Sequence, residues 1–373
     1  MLLSILITLG SLTWPIILLL PWKPWSTRER LEKHGSMPEI DLSDITVLIP
    51  ARDEAAVITR TLAALEPQGK NLGVIVIDDQ SSDGTADLAK KSFRGDLRVL
   101  SGKPLPDGWV GKLWALEQGR RLTATELIVL LDADIELAPG TIAALKSKLK
   151  AKSCDLVSLM AELRLQTLWE KILSPAFIFF FKLLYPFALG NDPRFRLGVA
   201  AGGCLLIRTD TLQAIGGFGS LRSSIIDDCA LAKKVKLLGG KTWIGLTHSA
   251  RSQRPYPSLG SFWSMVARTA FTQLRYSVLL LLVTTLSMLL LFWCPVLGIF
   301  HPSMSARAVA CLGLVSMLVA YLPVVRFYRQ SPFLVLTLPV VASLYLLMTW
   351  SSALRYWRGQ RSVWKGRRYG RTQ

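Results

Sequence analysis

The chain has 373 residues, 51% of them hydrophobic, an apolar share that excludes an ordinary soluble globule and implies a bilayer beside one sizeable soluble domain. Its net charge of +18 is lopsided: acids and bases balance up to Asp228, no acid follows, and the later Lys and Arg residues flank apolar stretches. With no nucleic-acid motif beside them, these charges point to an anionic membrane surface rather than to a nucleic acid, and five cysteines without a CxxC pair plus three scattered histidines exclude a zinc site.

Residues 2–20 are almost wholly apolar, and Lys23, Arg28, Arg30 and Lys33 follow them. A cleaved leader carries its charge first and ends on small residues, so a retained anchor over residues 1–22 is expected, with the chain after Lys23 in the cytoplasm. A soluble domain is expected over 41–255. Short β-rich runs at 45–49, 74–77, 97–100 and 127–131 alternate with helical segments, one carrying Val57, Ile58, Leu62 and Leu65 on a single face and another running from Lys112 to Leu122. This predicts an α/β fold with a mostly parallel sheet covered by helices on both faces, which binds ligands at the carboxyl ends of its strands.

Residues 172–189 are apolar but contain Lys182, which favours an interfacial helix over a span, a buried core helix being the alternative. After an interfacial linker at 256–277, three segments within 278–354 (278–300, 308–325 and 333–354) are long enough, or nearly so, to cross a bilayer. Three crossings would put the basic tail at 355–373 outside, against the positive-inside rule, so one segment is expected not to cross.

The chemistry-bearing residues lie where the strands end. Pro50-Ala51-Arg52-Asp53-Glu54 follows the first strand, and Asp78-Asp79-Gln80-Ser81-Ser82-Asp83-Gly84-Thr85 follows the second. A carboxylate there can accept the imide N–H of a uracil ring while Arg52 reaches phosphate or ribose; Ser82 or Asp83 also makes a good helix start. The fourth strand runs into Asp132-Ala133-Asp134, two carboxylates emerging from apolar sequence, for which a hard cation is the economical compensation. Lys112 lies in a glycine-flanked loop opening a helix, a place from which a cation can contact a diphosphate. Glycines at 198, 202 and 203 allow close backbone approach, and Asp227-Asp228 heads a further helix where one acid serves as general base.

The runs VLIPARDEA, VIVIDDQSSDGT, LLDADIELAPGT, GGCLLIRTDTL with IGGF, and IIDDCALA resemble family 2 glycosyltransferases of the Rossmann-like GT-A fold. With the N-terminal anchor, RPYPSLGSFW, MVARTAFTQLRYS and the C-terminal apolar segments, the chain looks most similar to bacterial hopene-associated glycosyltransferases. The resemblance implies that Pro50, Arg52, Glu54, Asp78, Asp79, Lys112 and Asp132 face a nucleotide-sugar donor, UDP-linked by expectation. It further implies that Asp132 and Asp134 hold Mg2+ or Mn2+, and that Asp228 is the base with Asp227 beside it. Many relatives carry Q-x-x-R-W; here Met265-Val266-Ala267-Arg268-Thr269 keeps only the arginine and Gln273-Leu274-Arg275-Tyr276 is a shortened alternative, so one sugar rather than a polymer is expected and Arg268 is a candidate diphosphate or acceptor contact.

The implied activity is metal-dependent, inverting transfer of a single sugar to a membrane lipid acceptor such as a hopanoid, by a multi-pass protein of the bacterial inner membrane. A nucleotidyltransferase is a rival, which a Gly-rich phosphate loop after the first strand would favour; PARDEA stands there instead. A transporter or scaffold is another, which intramembrane charges would favour; the apolar segments carry essentially none.

Overall fold

The computed structural model describes residues 2–32 and 39–360 and the backbone of 363–364 and 367–368; Lys33, His34 and nine residues of the expected tail at 355–373 lie outside the described residues. The chain divides into two compact units, one made of 29–164, 189–255 and the residues from 363, the other of 1–28, 165–188 and 256–362.

The first unit holds β1 (Ile45–Ala51), β2 (Gly73–Asp78), β3 (Leu97–Ser101), β4 (Leu127–Leu131), β5 (Ile135–Leu137), β6 (Leu156–Glu162), β7 (Cys204–Arg208) and β8 (Thr242–Ser252) in one sheet of order β3-β2-β1-β4-β7-β6-β8-β5. β3, β2, β1 and β4 run parallel, and β6 is parallel to β8; β7 runs antiparallel to β4 and β6, and β5 antiparallel to β8. The sheet is therefore mixed, with parallel pairing in the half that the apolar runs at 45–49, 74–77, 97–100 and 127–131 predict.

Helices number, along the chain, α1 (Leu2–Leu19), α2 (Ile58–Ala63), α3 (Thr85–Lys91), α4 (Gly111–Arg120), α5 (Thr141–Ala151), α6 (Leu168–Leu184), α7 (Phe187–Asn191), α8 (Thr209–Ala214), α9 (Asp227–Leu237), α10 (Leu259–Ala267), α11 (Ala270–Gln273), α12 (Val278–Gly298), α13 (Met304–Phe327) and α14 (Leu338–Trp357). Alternation along each strand explains the two-sided burial. Val47, Ile49 and Val129 pack with Ile58 and Leu62 of α2 and Leu145 of α5, whereas Leu48, Ile128 and Leu130 pack with Leu113 and Leu116 of α4 and Leu231 and Val235 of α9. Each face thus buries apolar side chains at about 25 cal/mol per Å².

In the second unit, α1, α12, α13 and the stretch Pro332–Trp357 are each long and apolar enough to cross a membrane. α1 is packed rather than solitary: Trp14 is buried, stacks on Phe179 of α6, and donates its indole N–H to the Leu291 carbonyl of α12 at 2.6 Å. α6 starts on a Thr167–Glu170 capping box and stops at Leu184, before Pro186. It buries Phe179 against Tyr321 of α13, and Lys182 is only 1% exposed, its ammonium 3.7 Å from the centre of the Phe187 ring. α6 thus buries one face, including Lys182, within its unit; it starts four residues before the apolar stretch 172–189 and ends five residues before that stretch does. The 256–277 linker folds as α10 and α11.

The loop before β7 lies backbone to backbone on α9, the helix whose first turn carries Asp227 and Asp228. A Cβ added at Gly198 would stand 2.2 Å from the Lys233 backbone nitrogen. Gly198→Ala is expected to destabilise the fold by about 1–3 kcal/mol, read as a lower thermal midpoint of the full chain in detergent; an unchanged midpoint would refute this contact.

Candidate active site

The loops after β1 and β2 are laced together. The Asp53 backbone N–H donates to Ser81 Oγ at 2.9 Å, the Ser82 N–H donates to Asp53 Oδ1 at 2.9 Å, and the Ala55 N–H donates to Asp83 Oδ2 at 2.9 Å. Glu54 N–H donates to Thr85 Oγ1 at 2.8 Å, and the Arg52 guanidinium donates to the Asp79 carbonyl at 2.5 Å. Asp53 (φ 50°) and Gln80 (φ 59°) adopt left-handed backbone, strain of the kind that such lacing over-determines. Asp78 and Asp79 end up buried; one Asp78 oxygen accepts from the Ser81 N–H at 3.3 Å, and the other meets no donor among the described residues. Asp83 also accepts from Thr85 at the start of α3, so helix start and loop lacing share one side chain.

A second group forms where β4 ends. Lys112, in the first turn of α4, places its ammonium 2.7 Å from Asp132 Oδ1 and 3.5 Å from Asp227 Oδ2. A helix N-terminus disfavours a cation, so Lys112 is held there by these carboxylates and not by its helix. Pro50, Lys112, Asp132, Gly202, Asp227 and Asp228 line one cleft, floored by Leu113, Leu116, Leu205, Phe218 and Leu231. Burial works against the Lys112 charge, but Asp132, Asp227 and Asp228 together raise its affinity for the proton well above the ordinary lysine range. Burial and then Asp227 push the Asp228 carboxyl up to about 7, against a 2.7 Å hydrogen bond from the Cys229 N–H. Burial also raises Asp132; Lys112 opposes this, and Asp134 adds to it.

Asp134 belongs to a third group. Its Oδ2 accepts from Arg254 Nε at 3.1 Å and from Ser252 Oγ at 3.1 Å, and Arg254 Nη2 reaches Glu54 Oε1 at 2.9 Å. The Gln253 N–H holds the Asp134 carbonyl, and Thr61 Oγ1 donates to the Ala133 carbonyl at 2.8 Å, which fixes the whole Asp-Ala-Asp turn.

The structure thus gathers Pro50, Lys112, Asp132, Asp227 and Asp228, places Arg52, Asp78 and Asp79 in the laced loops, and joins Glu54 to Asp134. Arg268 belongs to the helical unit, at the end of α10. Arg254 is not among the site residues the sequence suggests; it opens the quoted run RPYPSLGSFW, but nothing local assigns it to Asp134. Glu117 was missed too: it accepts from Arg120, Arg121 and the Phe218 N–H, holding the Gly216-Gly217-Phe218 turn against α4. The five cysteines carry no disulfide.

Residues 46–216 match the family model described as Glycosyl transferase family 2. A 4,4'-diaponeurosporenoate glycosyltransferase of Staphylococcus haemolyticus is 33% identical over 93 residues, 25% of this chain and 24% of the relative. An undecaprenyl-phosphate 4-deoxy-4-formamido-L-arabinose transferase of Salmonella paratyphi A is 32% identical over 135 residues, 35% of this chain and 40% of the relative. The chain thus matches well under half the length of these curated relatives. A solved mannosyltransferase from Pyrobaculum calidifontis, in complex with GDP-Man and Mn2+, shares the fold with a TM-score of 0.52 at 16% identity, over 96% of this chain and 99% of that one.

Carboxyls whose proton affinity is raised on folding favour the folded state when protonated, so Asp228 costs stability as pH climbs from about 4 through about 7, and Asp132 adds a cost of the same sign. Lys112→Ala removes the ammonium that limits this cost. The K112A midpoint is expected to fall further below the parent's at about pH 8 than at about pH 5; a pH-independent difference would contradict the electrostatic coupling.

Proposed function

We propose, from the premise that residues 46–216 form a family 2 glycosyltransferase domain with the GT-A fold, that the protein transfers one sugar from a nucleotide-sugar donor to a hydroxyl of a membrane lipid, with inversion. The observation that carries this reading is the acidic cleft itself: Asp132 at a parallel-strand end, Lys112, and the Asp227-Asp228 pair face one space. The donor's nucleotide is assigned to the laced loops, where the undonated Asp78 oxygen suits a base N–H and Arg52 lies beside it. UDP is the expected nucleotide.

Three carboxylates surround the single Lys112 ammonium, and the raised Asp132 and Asp228 carboxyls register that shortfall of positive charge. The residues therefore suit a divalent cation such as Mg2+ or Mn2+, held by Asp132 and Asp134. Asp132 and Asp134 would supply two oxygen ligands, and donor phosphates are the kind of ligand that would supply others. When bound, the cation stabilises charge on the departing nucleoside diphosphate. Asp228 takes the proton from the acceptor hydroxyl as its oxygen attacks the anomeric carbon and the bond to the diphosphate breaks. Lys112 steadies Asp227 beside it and offers a donor to the diphosphate.

A carboxyl titrating near 7 is suited to deprotonating a hydroxyl; a lipid phosphate, the acceptor class in the name of the Salmonella relative, would arrive already ionised and need no base. This favours a hydroxyl-bearing lipid, with a hopanoid as the expected one. The four apolar helices would hold the protein in a membrane, in this proposal the bacterial inner membrane, with the catalytic domain cytoplasmic.

The direct test incubates membranes containing the protein with UDP- and GDP-sugars and identifies any new glycolipid by mass spectrometry. Asp228→Asn is expected to lower transfer by about 10³-fold; full transfer by D228N to a lipid hydroxyl would sink the assignment, and survival of transfer to a lipid phosphate alone would favour that second acceptor. In the parent, kcat/KM is expected to fall as pH drops below about 7, because Asp228 then keeps its proton. A flat profile from about pH 5 to about pH 8 would remove Asp228 as the base.

A further inference from the structure

Each acid of the Asp132-Ala133-Asp134 turn carries its own tethered cation, Lys112 from α4 on Asp132 and Arg254 from the end of β8 on Asp134. Both cations also hold a second carboxylate: Lys112 lies near Asp227, and Arg254 pairs with Glu54. The Arg254 side chain is a third exposed, while those of Asp134 and Glu54 are 12% and 9% exposed, so the pairing is shielded enough to matter. The Arg254 backbone N–H donates to Ser252 Oγ at 3.3 Å, and Ser252 in turn donates to Asp134, so the segment 252–254 wraps this one side chain.

We infer that Arg254 is a positioning residue, the resident counter-ion of Asp134, and that a divalent cation and the Arg254 guanidinium compete for that carboxylate. The inference rests on the metal-dependent reading above. The three acids around Lys112 leave room for added positive charge at Asp132, but a dication approaching Asp134 meets a carboxylate already paired with Arg254, so its affinity for the protein alone is lowered. Exchange remains feasible because Arg254 keeps Glu54 when it releases Asp134. The cation then enters together with the nucleoside diphosphate, whose oxygens supply the charge and ligands that the protein withholds. Arg254 thereby couples metal binding to donor binding, and Glu54 sets how readily it lets go.

The two residues should act with opposite sign, which separates competition from general damage. Mn2+ binding to the full chain in detergent, followed by the loss of the free-ion EPR signal, reads affinity without any turnover. Arg254→Gln is expected to bind Mn2+ alone about tenfold more tightly than the parent, and the gain in Mn2+ affinity on adding UDP or GDP should shrink by a similar factor. Glu54→Gln, which confines Arg254 to Asp134, is expected to bind Mn2+ alone more weakly than the parent. Unchanged or weaker binding by R254Q, with Asp132→Asn still abolishing it, would overturn the competition and leave the donor reading standing. If neither the parent nor R254Q bound Mn2+, with or without UDP or GDP, both the metal reading and this inference would fall. Should R254Q fail to fold, unchanged or tighter Mn2+ binding by E54Q would overturn the competition alone.

Discussion

Carboxylates concentrated where parallel strands end must be compensated, and the architecture of the sheet-bearing unit follows from how that is done. Outside such a crevice each acid would be solvated; inside it, desolvation and like-charge repulsion raise the proton affinity of Asp132 and Asp228. The chain answers with cations from elements far apart in sequence. α4 delivers Lys112 from its first turn, against the sense of its own dipole, and the residues following β8 deliver Arg254. The β1 and β2 loops answer differently, tying acid side chains to backbone N–H groups of the facing loop. One crevice therefore contains two kinds of compensation, hydrogen-bonded acids in the laced loops and ion-paired acids around the cleft.

That logic also explains what the sequence revealed. β1, β2 and β4 are buried on both faces, so their runs ITVLIPA, GVIVID and LIVLL are nearly uninterrupted and unmistakable. β6 and β8 are equally buried but carry polar residues inside. Ser158 of β6 both donates to and accepts from Ala201, and β8 contains Thr242, Thr247 and Ser249, all buried. Most of their hydrogen bonds reach residues far away in sequence, such as Glu32, Gly190 and Ala201, so little local marks these segments as core strands. The antiparallel insertion of β7 between β4 and β6 is likewise invisible in the pattern, because the register is set by pairing partners and not by composition.

The site was legible in the same uneven way. Acids at strand ends stand out because charge is rare beside apolar runs, and so Asp78, Asp79, Asp132, Asp134, Asp227 and Asp228 could each be picked out along the chain. Of their counter-ions, Lys112 stands out by its glycine-flanked loop, whereas Arg254 does not. Arg254 is one of many basic residues in the acid-free region, and only the return of β8 to the sheet brings it to Asp134. Glu117 looks like an ordinary helix acid, yet it is 4% exposed and anchors the turn at Phe218 that helps floor the cleft. Local sequence thus identifies charges that need a partner, whereas topology chooses the partner.

The helical unit obeys a different rule for the same reason. Lipid tails are as apolar as leucine side chains, so burial alone gives two membrane helices little reason to associate, and close packing plus a few polar bonds must do it. Reading residues 2–20 as an anchor accounts for their hydropathy but not for their neighbours. Gly313 of α13 admits the backbone of α1 so closely that a Cβ there would stand 2.6 Å from the Ser11 Cα. The Trp14 indole bonds to the α12 backbone, and Trp350 of α14 donates to Thr285 of α12. α6 adds Phe179 between Trp14 and Tyr321, so that a helix from the middle of the sequence locks the first helix to the later ones. An apolar N-terminus that only tethered the domain would need none of these contacts; its packing makes α1 a structural member of the unit that the C-terminal helices form.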